Sequence, residues 1–279
     1  YPLPNKTEQY YINQYLDHKT SQIDDTIAKK QRLIELLEEE RQSIINEAVT
    51  KGLNPNVKMK DSGIEWIGEI PEHWNVIKLK YLIKILRGFS PEECQPNQLE
   101  EVPYLKVDNL NSQNSKIAPA SSYTNKRYIV EDDAIIFPKR GAAIFLNKVG
   151  IVDFKFSMDT NLMGVKTSNS TVKNFVYYYL KSLSLEEIAD TSTVPQINNK
   201  HINELKIYIP PYKEQQSIAA HLDRKTKEIN DSIQQIQKQI YRLQEYRQSL
   251  IFEAVTGKID VREEAEAIST SEDLLTQEK

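Results

Sequence analysis

Cysteine, glycine and long apolar runs are all scarce in this chain. Its 279 residues include one cysteine, Cys94, and eight glycines. A single cysteine excludes a disulfide framework and a cysteine-based zinc site built by this chain. No stretch approaches the roughly 18 apolar residues of a membrane-spanning helix, and no charged-then-apolar leader is seen. We therefore expect a soluble, cytoplasmic protein.

The chain also lacks a large excess of either charge. The chain has 36 basic and 40 acidic side chains, a net charge of −4, which excludes a strongly basic coat over the whole protein. Residues 257–279 hold three basic and seven acidic side chains and alone account for this deficit. We expect the acidic tail, 258–279, to be mobile. A nearly neutral remainder can still present one basic face.

Motifs of catalysis are missing as well. The four histidines stand far apart without the spacing of metal ligands, and eight glycines leave little room for a phosphate-binding loop. Ile209-Pro210-Pro211-Tyr212 resembles the Asn-Pro-Pro-Tyr motif of adenine methyltransferases, but an isoleucine cannot accept hydrogen bonds from the amino group of the base. These residues therefore show no phosphate-binding loop, no histidine metal site and no methyltransferase motif.

One enzymatic alternative stays open. Asp133, or its neighbour Asp132, precedes Asp153 and Lys155 by about 20 residues. Two carboxylates and a lysine at such a spacing can hold Mg²⁺ and activate water in a nuclease. A turn carboxylate and a surface Asp/Lys pair explain the same pattern.

An internal repeat is the main organising feature of the sequence. Residues 3–50 align without a gap on residues 209–256, a shift of 206 positions, and 23 of the 48 pairs are identical. Matches include Pro4 with Pro210, Glu8 with Glu214 and Gln9 with Gln215. Such agreement between two distant segments indicates two copies of one structural element.

Each copy is predicted to form one long helix. Apolar residues recur at alternating steps of four and three, and the periodic stretch contains neither glycine nor proline. A narrow apolar seam needs a partner, and the two copies are natural partners, antiparallel or through another protein. The predicted helix-pairing residues are Leu16, Ile23, Ile27, Ile34, Leu37, Leu222, Ile229, Ile233, Ile240 and Leu243.

The segment between the copies has the composition of a globular domain. Short apolar runs such as 102–107, 134–137, 142–146, 150–152 and 161–166 predict strands, and 172–181 predicts a helix. The fold class is α+β, with mixed or antiparallel strands, flanked by two long heptad helices that form a coiled-coil spacer. The predicted divisions are a helical region 1–53, a domain 54–209, a second helical region 210–257 and the tail 258–279.

Polar and basic residues concentrate near the ends of the predicted strands. Arginine, lysine, asparagine and glutamine can read base edges in the major groove, whereas serine, threonine and lysine can hold phosphates. Basic residues also precede the first predicted strand, at Lys78, Lys80, Lys84 and Arg87. The predicted DNA-binding residues are Lys106, Asn109, Lys126, Arg127, Lys139, Arg140, Ser192, Thr193, Gln196 and Asn198.

Several local motifs accompany this order of helix, domain and helix. The domain opens with 64–74, Ile-Glu-Trp-Ile-Gly-Glu-Ile-Pro-Glu-His-Trp, and Gln196-Ile197-Asn198 precedes its last strand. Ile209-Pro210-Pro211 with Glu214-Gln215 closes the domain, and 253–257 ends the second helix. With these motifs and the repeat, the chain resembles, over essentially its whole length, the specificity subunits of type I restriction–modification systems.

The resemblance implies a DNA target-recognition domain that reads one half of a bipartite sequence. It implies helices that space two such domains along double-stranded DNA and bind methyltransferase subunits, with a motor–nuclease subunit completing the complex. S-adenosylmethionine, ATP and Mg²⁺ would serve those partners, and no cofactor is expected in this chain. One domain is present where the family has two, so we expect either the second half of a longer subunit or a half-length subunit that pairs with a second copy of itself. A coiled-coil adaptor without a DNA function is the other alternative.

Overall fold

The computed structural model describes residues 3–64, 67–90, 101–111, 116–118, 120, 122–125, 128–190 and 194–268. The chain divides into two compact units, one formed by 40–230 and the other by 1–39 with 231–279. We call them the domain unit and the helical unit. Within the described ranges, no helix combines the length and the apolar character needed to cross a membrane.

Two long helices match the two copies of the repeat. Helix α1 spans Lys6–Lys51 and helix α5 spans Tyr212–Val255, so each contributes residues to both units. At the start of α1, the Asn5 side chain accepts a hydrogen bond from the Glu8 amide while Glu8 accepts one from the Asn5 amide. This reciprocal cap satisfies amides that lack a partner at a helix start. The long helices expected from the repeat are therefore present.

The domain unit mixes short strands and short helices. Its strands are β1 (Met59–Asp61), β2 (Glu69–Pro71), β3 (Asn75–Lys78), β4 (Ile83–Arg87), β5 (Glu101–Leu105), β6 (Ser122–Asn125), β7 (Ala134–Pro138), β8 (Gly150–Val152), β9 (Ser157–Met158), β10 (Leu162–Thr167) and β11 (Lys206–Ile209). Its helices are α2 (Lys173–Ser182), α3 (Leu185–Ile188) and α4 (Asn199–Glu204). The predicted mixture of helix and strand is confirmed.

A four-stranded antiparallel sheet in the order β4-β10-β7-β8 is central to the domain unit. A second sheet, β6-β5-β9, pairs β5 with β6 antiparallel and β5 with β9 in parallel. Strands β1 and β2, and strands β3 and β11, form two antiparallel pairs. The strands are therefore mostly antiparallel, and the sequence had not predicted their order.

Apolar residues of the sheets pack into two cores. All five residues of β7 are buried, because both faces of that strand are covered. The larger core joins β7 to α2 and to the neighbouring ends of the long helices, through residues such as Trp74, Phe175 and Leu222. The smaller core surrounds Leu105, Phe156 and Met158, beneath the second sheet. The four-stranded sheet is thus held from both sides.

One predicted strand is wrong. Residues 142–146 form a 3-10 helix instead, between Gly141 at φ 79° and Asn147 at φ 44°. Positive φ at both flanking residues is not strand backbone, and it turns the chain on either side of this segment. Ile144 is buried in this 3-10 helix, so the segment is apolar in sequence, as a short buried strand would be.

The helical unit contains residues 6–39 of α1 and 231–255 of α5. Lys30 donates to Gln239 at 2.7 Å, and Arg247 pairs with Asp24 at 2.9 Å. As the residue number falls along α1, the number of its partner in α5 rises. These helix segments are therefore antiparallel in this unit. Tyr15, Ile23, Leu250 and Ala254 are buried between them.

Part of the predicted mobile tail is ordered in the helical unit. Residues 262–268 are helical, and Val261 and Ala265 are buried in the same cluster as Tyr15 and Ala254. Lys19 pairs with Glu264 at 2.9 Å. The expectation of mobility has no support for 258–268, because Val261, Ala265 and Ile268 are buried at helical spacing and let this acidic segment pack. Residues 269–279 lie outside the described residues.

Candidate nucleic-acid interface

Three strand ends meet at the turn that follows β9. The amide of Phe89, after β4, donates to the Met158 carbonyl at 2.8 Å, and the Asp159 amide donates to Leu105, the last residue of β5, at 2.9 Å. The Lys139 amide, after β7, donates to the Asn161 carbonyl at 2.9 Å. Backbone hydrogen bonds thus fix the ends of β4, β5 and β7 around one turn.

A fourth segment, 194–198, joins this edge. The Ile197 amide donates to the Lys139 carbonyl and the Gly141 amide donates to the Pro195 carbonyl, both at 2.9 Å. Arg140 and Gln196 form an isolated antiparallel bridge between these two segments. We call the edge formed by Arg87, Lys106, Lys139, Arg140, Asn161 and Gln196 the strand-end surface.

Charge on the strand-end surface is positive. Arg87, Lys106 and Arg140 are exposed and Lys139 is half-buried, and no described carboxylate forms an ion pair with any of them. Lys106 lies over the ring of Tyr104, with 5.9 Å from Nζ to the ring centroid. Cations without a protein partner attract anions from solution more strongly than paired ones. This edge can therefore hold a polyanion.

Two other lysines noted in the sequence share one carboxylate. Lys78 and Lys80 both pair with Glu204, the latter at 3.1 Å. Hydrogen bonds from the two lysines hold the pKa of the Glu204 carboxyl below its ordinary value. This carboxylate stays ionised between them and offsets one of the two positive charges near β3.

Two predicted DNA-binding residues make hydrogen bonds within the protein. The Asn109 side chain is buried, accepts a hydrogen bond from the Lys106 amide at 2.8 Å and donates to the Ala118 carbonyl at 3.4 Å. Asn198 caps α4, accepting from the amides of Lys200 at 2.9 Å and His201 at 3.3 Å. Both amide groups are already bonded within the protein, so neither is presented as a free reader of bases.

The remaining predicted residues divide into two groups. The structure brings Lys106, Lys139, Arg140 and Gln196 together at the strand-end surface, whereas Lys126, Arg127, Ser192 and Thr193 lie outside the described residues. Arg87 was noted as a basic residue but was not among the predicted DNA-binding residues, and neither was Asn161. The sequence could not place these two residues, because which strand ends converge depends on the order of strands in the sheets.

The geometry gives the nuclease alternative no support. Asp133 is paired with Lys173, while Asp153 and Lys155 are exposed after β8. Pairing of Ala134 with Val152 brings Asp133 and Asp153 to the same end of two strands, opposite to the strand-end surface. Across the described ranges, no three acidic, histidine or cysteine side chains are grouped as metal ligands.

Every predicted helix-pairing residue lies in α1 or α5, and none of the ten is exposed. Ile23, Leu222, Ile229 and Ile233 are buried. Leu16, Ile27 and Leu243 pack against the apolar cluster of the helical unit, and Leu222 belongs to the core of the domain unit. The long helices therefore use these positions for packing within each unit.

The motif after β11 fastens α5 to the domain unit. Glu214 accepts a hydrogen bond from Trp74 Nε1 at 3.1 Å and pairs with His73 at 2.8 Å. Gln215 is buried, accepts from the Val172 amide and donates to the Pro210 carbonyl, both at 2.9 Å. The paired motifs around Trp74 and Glu214, recognised in the sequence, are thus two sides of one contact.

The fold and the strand-end surface define a mixed helix–strand domain that presents cations and amides at one sheet edge and is fastened to long helices. The model of the type I restriction modification DNA specificity domain matches residues 71–242, and the chain belongs to that family.

Relatives of known name support this membership. The chain is 32% identical over 270 residues to a putative type I restriction enzyme specificity subunit, MjaX, of Methanocaldococcus jannaschii, covering 94% of this chain and 59% of the relative. Its fold is similar to that of the HsdS subunit from Thermoanaerobacter tengcongensis, with a TM-score of 0.55, 16% identity and coverage of 92% and 60%. It is also similar to a chain from work on complex assembly and conformational transition of the type I R-M system, with a TM-score of 0.68, 15% identity and coverage of 86% and 57%. The chain thus spans less than two thirds of the length of each.

Proposed function

We propose that this chain is a DNA sequence-recognition part of a type I restriction–modification complex, without catalysis of its own. It reads one half of a bipartite target in double-stranded DNA and acts in the cytoplasm. The observation that carries the proposal is the strand-end surface, where exposed amides meet cations that pair with no described carboxylate, from five segments of the chain. Family membership supports the assignment to a type I restriction–modification complex, because the relatives are named as specificity subunits of such enzymes.

The strand-end surface contains both kinds of group that DNA recognition requires. Arg87, Lys139 and Arg140 can neutralise phosphates, and such contacts supply affinity without reading sequence. The exposed amide of Gln196 can donate to and accept from a base edge. A binding surface of this composition explains how a chain with net charge −4 can bind DNA.

The proposal is tested by duplex binding of the full chain, assembled with methyltransferase subunits, at several salt concentrations. Arg140→Ala should weaken binding and flatten its dependence on salt, because one phosphate contact is lost. Lys155→Ala is the matched control, since Lys155 is an exposed cation at the opposite end of the sheet. Equal effects of the two variants would contradict the proposed surface.

We further propose that the helices form a coiled-coil spacer and bind the methyltransferase subunits. Support comes from the antiparallel contacts of the helical unit and from burial at the predicted helix-pairing residues. S-adenosylmethionine, ATP and Mg²⁺ act in the partner subunits, including a motor–nuclease subunit. The domain divisions at 54–209 and 210–257 remain part of this proposal.

The repeat gives the Trp74 contact a counterpart position in the helical unit, and this supports pairing with a second recognition domain. In the helical unit, Glu8 and Gln9 stand at the repeat positions of Glu214 and Gln215, and Gln9 donates to the Pro4 carbonyl at 2.7 Å, as Gln215 does to Pro210. Beside Glu8 lies a pocket of about 420 Å³, lined partly by 254–257 at the end of α5. We propose that this position receives a tryptophan-bearing motif of another recognition domain, from a second copy or a longer chain. Measuring the mass of the chain in solution, with Glu8→Ala as the variant, tests self-pairing.

A further inference from the structure

A tight turn occupies the centre of the strand-end surface. The Leu162 amide donates to the Asp159 carbonyl at 3.0 Å, and the Asn161 amide donates to the Asp159 carboxylate at 2.6 Å. The same carboxylate is 7% exposed and accepts a hydrogen bond from the Tyr104 hydroxyl at 3.2 Å. A side-chain oxygen that bonds the amide two residues later stabilises such a turn. Asp159 therefore fixes the backbone of Thr160 and Asn161.

Close packing on the far side of the turn restricts it further. A Cβ atom on Gly88 would lie 2.2 Å from the Asp159 carbonyl oxygen, far inside a normal contact. Glycine is therefore required where the end of β4 approaches this turn. With hydrogen bonds to three strand ends, the turn is held in one position relative to the sheet.

Two side chains project from this fixed backbone. Thr160 and Asn161 are both exposed, and no described residue forms a hydrogen bond with the side-chain amide of Asn161. On either side lie the cations Arg87, Lys106 and Lys139, from the segments bonded to the turn. An amide carried by a fixed backbone, with cations on the neighbouring segments, is well suited to read a base while the cations hold the phosphates.

We propose that Asn161 reads the edge of an adenine in the DNA target and that Asp159 is its positioning residue. This inference rests on the proposed function. An asparagine amide can accept from the adenine N6 amino group and donate to N7 at once, a match that other base pairs do not offer. Asn161 retains this amide for DNA, whereas Asn109 and Asn198 use theirs inside the protein.

Selection from a random duplex pool tests the inference, using the chain assembled with methyltransferase subunits. Asn161→Ala should still bind DNA but lose its preference for adenine at one position, by roughly 5- to 100-fold. Asn169→Ala is the matched control, because Asn169 is an exposed asparagine beyond the opposite end of β10. That variant should select the wild-type sequence.

A second variant separates base reading from a structural role. Asn161→Asp keeps the size of the side chain but leaves only acceptors, so preference at that position should move towards cytosine, whose N4 amino group donates. An unchanged selected sequence with both Asn161 variants would overturn the inference and leave the proposed function intact. A wild-type complex that selects no sequence would overturn both.

Discussion

Arg41 donates a hydrogen bond to Asn230 Oδ1 at 2.7 Å, within the domain unit. The equivalent positions of the repeat, Arg247 and Asp24, make the corresponding contact within the helical unit, with 2.9 Å between Nε and Oδ1. The 206-residue repeat therefore preserves an interhelical contact as well as a sequence. Burial differs between the two arginines, however, and it determines how much each contact contributes to the free energy of unfolding.

We expect Arg41→Ala to lower the free energy of unfolding more than Arg247→Ala. Arg41 is 9% exposed, and loss of a buried charged hydrogen bond costs about 1.5–3 kcal/mol. The side chain of Arg247 is 37% exposed and its partner 53%, so loss of that pair should cost less than about 1 kcal/mol. Urea unfolding of both variants measures the difference, and equal losses would contradict it.

Glu214→Ala should destabilise the protein by about 1–3 kcal/mol, because the fully buried Trp74 loses the acceptor for its indole N–H. Glu8→Ala is the matched control from the other copy of the repeat. Glu8 is exposed and caps Asn5, so its loss should cost only about 0.5–1 kcal/mol. Thermal unfolding that ranks the two variants in the opposite order would argue against the Trp74 contact.

Lys181 predicts a dependence of stability on pH. It is 6% exposed and donates to the Asn147 carbonyl at 2.8 Å. Burial, with a smaller contribution from Arg41, lowers the pKa of Lys181 from 10.5 to about 8. Between these values the unfolded chain holds more protons, so the free energy of unfolding should rise with pH, by about 3 kcal/mol in all.

The change Lys181→Met should remove this rise, because methionine does not titrate. Unfolding in urea at pH 7.5, 9 and 10 compares the two proteins, and other titrating groups affect both alike. The stability of wild type relative to the variant should therefore increase across the series. A constant difference would show that Lys181 titrates normally in the folded protein.

Gly88→Ala should damage the turn that carries Asn161. The added Cβ would overlap the Asp159 carbonyl, and relief of such overpacking costs about 1–3 kcal/mol. Thr160→Ala changes an exposed side chain on the same turn and should alter stability by less than about 0.5 kcal/mol. Melting temperatures measure both, and an unaffected Gly88→Ala variant would disprove the close approach.

Periodicity made the long helices readable from the sequence. Steps of four and three, together with the repeat, predicted helices close to Lys6–Lys51 and Tyr212–Val255, because an uninterrupted apolar stripe is typical of a packed helix. Whether the two helices pair with each other, antiparallel, or through another protein was left open. It depends on contacts between residues far apart in the chain, such as Arg247 with Asp24.

The candidate site was readable only in part. Lys106, Lys139, Arg140 and Gln196 were predicted as polar residues near strand ends, and they do lie on one surface. The sequence does not show that the Asn109 side chain is hydrogen-bonded within a turn while the Asn161 side chain is exposed, because residue order alone does not give side-chain contacts. Sheet order, set by long-range packing, decides that difference.

A map of methylated adenines at single-base resolution tests the central claim most directly. DNA is treated with the methyltransferase subunits, with and without this chain. The account predicts methylation confined to one bipartite sequence and dependent on the chain. Methylation of the same sites without the chain, or of sites with no common sequence, would contradict it.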